Sequence, residues 1–243
     1  MSLISSTCVA GVAVGLTFTT AIFGPNLKCL PGMYHIRCLY SVLVWKNRAK
    51  LDHDQSLFKP EVLTTWCPLM EIDMNLHKTN SSYFSDLDES RLRVLARVFP
   101  DCLQLGGAKV NLALGGVACT FFKAISPLQK YELQSQILSW DEKWLYMASY
   151  FLVSGGYRRL STARDGQDQD EKALEDVARS VVIAAVVSKY CFKEGRKTVA
   201  PETMLRRRRI LRPESEDELS RKNMEGMRIA LSLNQMGALR AAL

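Results

Sequence analysis

At 243 residues the chain is long enough for one sizeable domain with additional segments and too short for two average domains joined by a long linker. With 47% apolar and 23% charged residues it has the composition of a folded protein, which excludes wholesale disorder and collagen-like or low-complexity structure. Lys and Arg number 32 against 25 Asp and Glu, and the net charge of +7 suits an anionic membrane surface, a CoA phosphate or nucleic acid without choosing among them.

No charged side chain occurs from Met1 to Leu27, and Cys8 to Phe23 (CVAGVAVGLTFTTAIF) is apolar apart from scattered Gly and Thr. A spanning helix needs roughly 20 mostly apolar residues, which residues 3–23 supply when their Ser and Thr are counted. Residues 1–27 are therefore a candidate membrane anchor, with a buried or interfacial hydrophobic helix as the alternative. A secretory signal would carry a basic region before the apolar stretch; here Lys28, Arg37, Lys46, Arg48 and Lys50 follow it instead. By the positive-inside rule the expected location is membrane-associated, with the remaining chain facing the cytosol. Gly11 and Gly15 form a small-xxx-small pair that could pack helices in a bilayer.

Residues 28–60 read as a basic amphipathic helix and a linker. After the Pro31-Gly32 turn, Ile36, Leu39, Tyr40, Leu43 and Val44 recur at helical spacing, so this helix would rest on a bilayer or pack on the domain. The core domain is expected over residues 61–200. Glu61 to Asp73 reads as a strand with Pro68 marking an edge or bulge. Asn80 to Phe99 reads as a long helix: Tyr83, Phe84, Leu87, Leu92, Leu95, Val98 and Phe99 mark one face, and Asp86, Asp88, Glu89, Arg93 and Arg97 lie largely off it. Pro100 stops the helix, and Asn80, Ser81 or Ser82 can cap its start. Strands follow over Val110 to Ile125, Leu128 to Trp140, Trp144 to Val153 and Ser180 to Phe192, the middle two joined as a hairpin through the polar SWDEK turn at 139–143. The polar stretch Ser154 to Asp176 reads as a mobile loop. Residues 201–243 comprise the Arg206 to Arg209 run, an acidic block and a terminal helix from 219. The arginine run lacks interleaved aromatics and a reading helix, so it suggests a solvated tail and no nucleic-acid partner. One strand, one long helix and at least four antiparallel strands make an α+β domain whose sheet wraps the helix.

Seven cysteines, an odd number with no C-x-x-C pair and no histidine at zinc-finger spacing, read as reduced thiols in the core. The three histidines form no H-E-x-x-H site, GRKT at 195–198 lacks the rest of a P-loop, and no G-x-S-x-G elbow is present. No residue set calls for a metal or cofactor. The chemistry concentrates in EIDMNLHKTNSSYF, residues 71–84, where Glu71, Asp73, Asn75, His77 and Asn80 lie between the first strand and the long helix. A helix N-terminus there offers N–H donors to a carbonyl oxygen as it becomes negative, and a carboxylate beside it could activate water or attack directly. A capped polar loop without chemistry would have a similar sequence.

The run Asp73-x-Asn75-x-His77-x-x-Asn80-x-x-Tyr83-Phe84 before a long helix, with YELQSQILSWDEKWLYMASYF and FKEGRKTVAPE downstream, resembles the hotdog-fold thioesterases. More narrowly it resembles their membrane-associated, thioesterase-like branch from animals and fungi, over residues 28–230. The resemblance implies a hotdog fold, a long central helix wrapped by an antiparallel sheet, working as a homodimer with active sites at the subunit interface. By analogy with the 4-hydroxybenzoyl-CoA type, Asp73 is the expected nucleophile or general base. His77 and Asn80 would shape the pocket, backbone N–H groups from Asn80 to Ser82 (Asn80, Ser81, Ser82) would polarise the thioester carbonyl, and Tyr83 would line the acyl pocket. Thr79 replaces the first Asn of the family's H-x-N-N block. The implied activity is hydrolysis of an acyl-CoA or of a carrier-bound acyl or polyketide chain, in keeping with fungal members that accompany polyketide synthases. Two alternatives remain: a catalytically weak hotdog protein that binds acyl chains or partners at a membrane, which Thr79 favours, and a hotdog dehydratase pairing His77 with Glu132 or Asp141.

Overall fold

The structure, a computed structural model, describes residues 20, 23–51, 57–104, 107, 109–165, 171–211 and 216–235. Helix α1 (Met33–Leu51) leads to strand β1 (Glu61–Trp66), a 3-10 turn (Leu69–Glu71) and the long helix α2 (Asn80–Val98). Strands β2 (Asn111–Phe121), β3 (Lys130–Trp140) and β4 (Leu145–Val153) follow, then helices α3 (Gly156–Asp165) and α4 (Glu171–Val181). The chain continues with β5 (Val182–Glu194), β6 (Lys197–Val199), α5 (Pro201–Arg207) and α6 (Glu216–Gln235). The strands form one antiparallel sheet in the order β1-β3-β4-β5-β2, with β6 added to β5.

Period-two alternation decides which side chains meet α2. Leu133 and Ile137 of β3, and Met147 and Phe151 of β4, point inward and are fully buried. Against them α2 sets Tyr83 and Leu87 at one end and Val94, Leu95 and Val98 at the other, so the core is two apolar clusters along a single helix. Pro100 opens a 3-10 turn directly after α2, and the Phe99 N–H closes the helix on Leu95 O at 2.7 Å. A long helix held in a curled antiparallel sheet is the expected hotdog arrangement.

β4 is apolar on both faces because the outer face of the sheet is covered as well. There Leu138, Tyr146 and Ala148 pack under Met227 and Ala230 of α6. The close approach requires Gly226: a Cβ at that position would lie 2.0 Å from Leu138 O. Asn223 fastens the same contact, accepting the Trp140 N–H at 2.7 Å and donating to Trp140 O at 3.1 Å. The terminal helix thus starts slightly before its expected position and docks on the domain. The arginine run ends α5, where Arg208 bonds Val98 O and pairs with Asp101.

Several expectations are corrected. Ser154 to Asp176 is not a loop throughout: it holds α3 and the start of α4, which continues to Val181, and Leu160, Val177 and Ala178 of these helices pack on Leu152 and Tyr150 of the sheet. The apolar residues of that stretch recur every three or four positions, a period masked by its high charge. The first strand ends at Trp66, and Pro68 stands in the connection. Of the two placements expected for the apolar face of α1, packing on the domain is not observed: Ser41 and Trp45 are buried and Arg37 points at α2, whereas Ile36, Leu39, Tyr40 and Leu43 are exposed.

The expected membrane location is also overturned. Among the described residues no helix is long and apolar enough to cross a membrane. The candidate anchor, including Gly11 and Gly15, falls almost entirely outside the described residues, which begin with Thr20 and then Phe23. Lys28 and Arg37, counted as flanking charges for orientation, are engaged in the domain by Asp86. A lysine with a buried carboxylate partner carries no information about which side of a bilayer the chain faces.

Candidate active site

The loop between β1 and α2 folds back on itself. Thr79 N–H donates to Glu71 O at 2.7 Å and Asp73 N–H to His77 O at 2.9 Å, bringing Asp73 and the start of α2 onto one turn. Asp73 is half-buried, and its Oδ1 accepts the N–H groups of Asn75 at 2.8 Å and His77 at 3.3 Å. These bonds hold a tight turn in which Leu76 adopts φ +60°, a left-handed conformation that non-glycine residues rarely take. Oδ2 of Asp73 has no partner among the described residues, so one oxygen orders the loop and the other is free to act on a ligand.

At the helix start Thr79 is the N-cap residue, and its hydroxyl lies 3.3 Å from Ser81 Oγ without capping the helix. Ser82 turns back, donating both its N–H (3.0 Å) and its hydroxyl (2.8 Å) to Thr79 O. The N–H groups of Asn80 and Ser81 therefore remain at the positive end of α2, exposed and without intrahelical acceptors. His77 is exposed on the same turn. Tyr83 lies one turn deeper, buried and in ring contact with Phe121 and Phe151 at 5.0 and 4.7 Å. Burial pushes its phenol titration well upward, so it is a neutral wall at working pH. Around the turn stand exposed apolar side chains from two segments joined by the Lys78 N–H to Ile125 O bond: Met70, Met74 and Leu76, with Phe121, Phe122 and Leu128. Met74 is 99% exposed. Two cavities, of about 340 and 230 Å³, lie elsewhere in the chain.

Behind the loop is a buried ionic network that the sequence reading did not identify. Asp86 is fully buried, with Lys28 Nζ at 2.9 Å, Arg37 Nη2 at 2.9 Å and Lys78 Nζ at 3.1 Å. Tyr131 donates its hydroxyl to the same carboxylate. Glu71, also buried, pairs with Lys78 and lies 3.4 Å from Lys28. Burial alone would raise the Asp86 pKa, but the charges of Lys28 and Lys78, the Tyr131 hydrogen bond and Arg37 outweigh it and hold the carboxyl well below its usual range. Asp86 is thus a fixed anion with its oxygens engaged, unsuited to taking a proton. Burial, helped by Glu71, pushes the Cys29 thiol up to about 12, so it is no nucleophile.

The segment before α1 belongs to this scaffold. Trp66 Nε1 donates to Pro25 O at 2.8 Å, the Met70 N–H donates to Asn26 Oδ1 at 2.8 Å, and Cys29 Sγ donates to Glu71 at 3.3 Å. A sequence signal for part of the network existed. Asp86, Glu89, Arg93 and Arg97 follow one another at helical spacing, as do Arg37, Ser41 and Trp45 on α1, and the two stripes meet through Arg37–Glu89 and the contact of Ser41 with Glu89 and Arg93. A charged stripe with helical period normally marks a solvated face, so it gave no reason to expect burial.

The carboxylates considered for a dehydratase are both committed elsewhere. Glu132 accepts the N–H groups of Gly155 and Tyr157 at the start of α3. Asp141 accepts those of Lys143 and Trp144 in its turn and the Tyr146 hydroxyl.

A family described as the thioesterase-like superfamily matches residues 67–188, which include the Asp73 turn, α2 and strands β2 to β4. The chain belongs to the thioesterase-like superfamily. It is 34% identical over 209 residues to thioesterase poxG of Penicillium oxalicum, covering 78% of this chain and 69% of that protein. It is 37% identical over 207 residues to the probable thioesterase atnL of Emericella nidulans, covering 74% of this chain and 66% of that protein. Among solved structures it is similar to the YbaW probable thioesterase of Escherichia coli, at 12% identity and a TM-score of 0.43, over 60% of this chain and 94% of the other.

Proposed function

We infer that this protein hydrolyses acyl thioesters, with Asp73 as the carboxylate that activates water. The observation that carries the residue assignment is the single turn on which a free carboxylate oxygen and two uncommitted helix N–H groups occur together. Family membership and the thioesterase relatives support the reaction class. In the proposed reaction Asp73 Oδ2 accepts a proton from water as the water oxygen bonds to the thioester carbonyl carbon. The carbonyl oxygen, becoming negative, accepts hydrogen bonds from the N–H groups of Asn80 and Ser81 and gains from the helix dipole. Collapse of the tetrahedral intermediate breaks the C–S bond, and the thiolate takes up the proton held by Asp73. His77 would flank the entrance and Tyr83 would back the acyl group.

The exposed apolar rim of Met70, Met74, Leu76, Phe121 and Phe122 favours an apolar acyl group, delivered by CoA or a carrier protein as in biosynthetic chain release. The proposed working unit is a homodimer joined along β2. This strand has a partner on one side only among the described residues, and its sequence NLALGGVACTF contains no charge to discourage pairing with a second copy. Pairing there would set a second chain beside Phe121 and complete an acyl pocket that one chain leaves open. Acyl binding without turnover is the competing reading, because Thr79 cannot supply the side-chain amide of the family's Asn.

The deciding experiment is thiol release by the full chain from short, long and aromatic acyl-CoAs and an acyl-carrier protein, alongside Asp73→Asn. The amide keeps an oxygen for the Asn75 and His77 N–H groups, so the turn survives while the base is lost. A rate decrease of about a hundredfold or more is expected, in line with general-base catalysis. Equal rates in the two proteins would remove Asp73 from the mechanism, and binding without turnover of any substrate would establish the competing reading.

A further inference from the structure

On the outer face of the sheet, opposite the side occupied by α2, the α3–α4 pair and the sheet line a half-open cavity of about 340 Å³. Gln134 of β3, Tyr150 of β4 and Val182 of β5 line its sheet side, since Leu133, Phe151 and Ile183 next to them belong to the inner core. Leu160, Leu174 and Ala178 form the helical walls. The volume falls at the lower end of the range of about 300–1,000 Å³ typical of small-molecule sites. The polar groups are few. Gln134 is almost fully buried and uses its Nε2 on Gln136 Oε1 at 3.1 Å. Glu175 at the rim is paired with Arg179 at 2.6 Å, whereas Arg164 has no ion pair among the described residues. Burial raises the Tyr150 titration, so its hydroxyl is available as a neutral hydrogen-bonding group.

We propose that this cavity is a second ligand site, distinct from the Asp73 turn, that takes a small amphiphilic carboxylate with its apolar body against Leu160, Leu174, Ala178 and Val182 and its anion on Arg164. A free acid of this kind is the class of product that thioester hydrolysis releases, so the site would sense product without blocking the Asp73 turn. The apolar walls favour an amphiphile over a nucleotide, and the guanidinium of Arg164, without an ion pair among the described residues, sets the sign of the head group. The binding claim stands independently of the role assigned to Asp73.

The test is photo-crosslinking of the full chain with a diazirine-bearing medium-chain fatty acid, followed by peptide mapping, with octanoate and octylamine as competitors. Label on the peptides carrying Tyr150, Leu160 or Ala178, displaced by octanoate and not by octylamine, is expected. Arg164→Gln should weaken labelling at these peptides about tenfold, as loss of one charge-assisted hydrogen bond implies, and Arg164→Lys should retain most of it. Ala178→Phe, which fills the cavity, should abolish labelling there while leaving any label at the Asp73 turn. Arg164 is exposed, so its variants do not threaten the fold. Label confined to other peptides, displacement by octylamine as effective as by octanoate, or labelling unchanged in Arg164→Gln would overturn the proposal.

Discussion

Asp86→Asn preserves the shape of the side chain and removes the anion that Lys28, Lys78 and Arg37 share. Two of those cations, Lys28 at 4% and Lys78 at 3% exposure, cannot reach water without moving backbone. Removing one member of a buried ion network costs about 3–5 kcal/mol, because the remaining charges keep their desolvation penalty and lose their partner. Glu71 still neutralises part of the pair, which places the expected loss toward the lower half of that range. For a domain of this size each kcal/mol lowers Tm by about 2–4 °C, so a fall of roughly 6–15 °C is expected. Urea denaturation of wild type and variant would give the difference directly. The sign with pH follows from the depressed Asp86 carboxyl: its stabilisation is fully present above the ordinary carboxylate value of about 4 and is lost as pH falls below it toward the folded-state value. The gap between wild type and Asp86→Asn should be constant around neutrality and narrow in acid. Lys28→Met combined with Asp86→Asn should be non-additive by about 1 kcal/mol or more. A loss under about 1 kcal/mol, additive single effects, or a gap that widens on acidification would refute the reasoning.

Two further outcomes test the assembly and the covering of the outer face. Leu114→Lys places a charge on the open strand β2, at a side chain about half exposed within one chain. If β2 joins the proposed dimer, light scattering should show a shift to monomer with loss of hydrolysis, and a monomer that retains full activity would remove the second chain from the site. Gly226→Val puts a Cβ onto Leu138 O, and over-close packing of this kind costs about 1–3 kcal/mol. It should release α6, detected as faster proteolysis after residue 211 with the Asp73 turn unaffected; unchanged protection of α6 would contradict the close approach.

A sheet wrapped around one long helix was legible because the elements have clean periods, and the motif resemblance is what made that arrangement a hotdog. Tyr83, Leu87, Leu95 and Val98 repeat as a helix, and Leu133 and Ile137 alternate with Gln134 and Gln136 as a strand. The turn at 139–143 was legible from its polar residues, and Asp141 indeed caps it through Lys143 and Trp144. The candidate site was legible as a place: Asp73, His77 and the helix start do share one turn. The identity of its support was not. Lys28 resembled a flanking membrane charge and Asp86 a solvated one, because burial of an ion depends on a partner 58 positions away that no local pattern reveals. The face by which α1 packs on the domain was not legible for a related reason. Its apolar residues recur at helical spacing, but the partner surface on α2 is the charged stripe, so Arg37 and Ser41 face inward.

Why two lysines and two acids are buried behind a loop is best answered by position rather than stability. A well-packed apolar cluster of similar volume is often as stable as a buried ion network or more so, but it lacks direction. Here each bond has a geometric consequence. Lys78 follows His77 in the loop and grips Glu71, whose carbonyl holds Thr79, and both acids are tied to Lys28, so the loop has one register against α2. Replacing the network as a set, with Lys28→Met, Lys78→Met, Glu71→Gln and Asp86→Leu together, should therefore recover most of the stability that Asp86→Asn loses. Hydrolysis should stay depressed by tenfold or more in kcat, with little change in KM, because the free Asp73 oxygen and the Asn80 and Ser81 N–H groups would no longer be held in fixed relation. A quadruple variant that is stable and fully active would mean that packing alone positions the turn, and one that is less stable than Asp86→Asn would mean that the ions stabilise the fold outright.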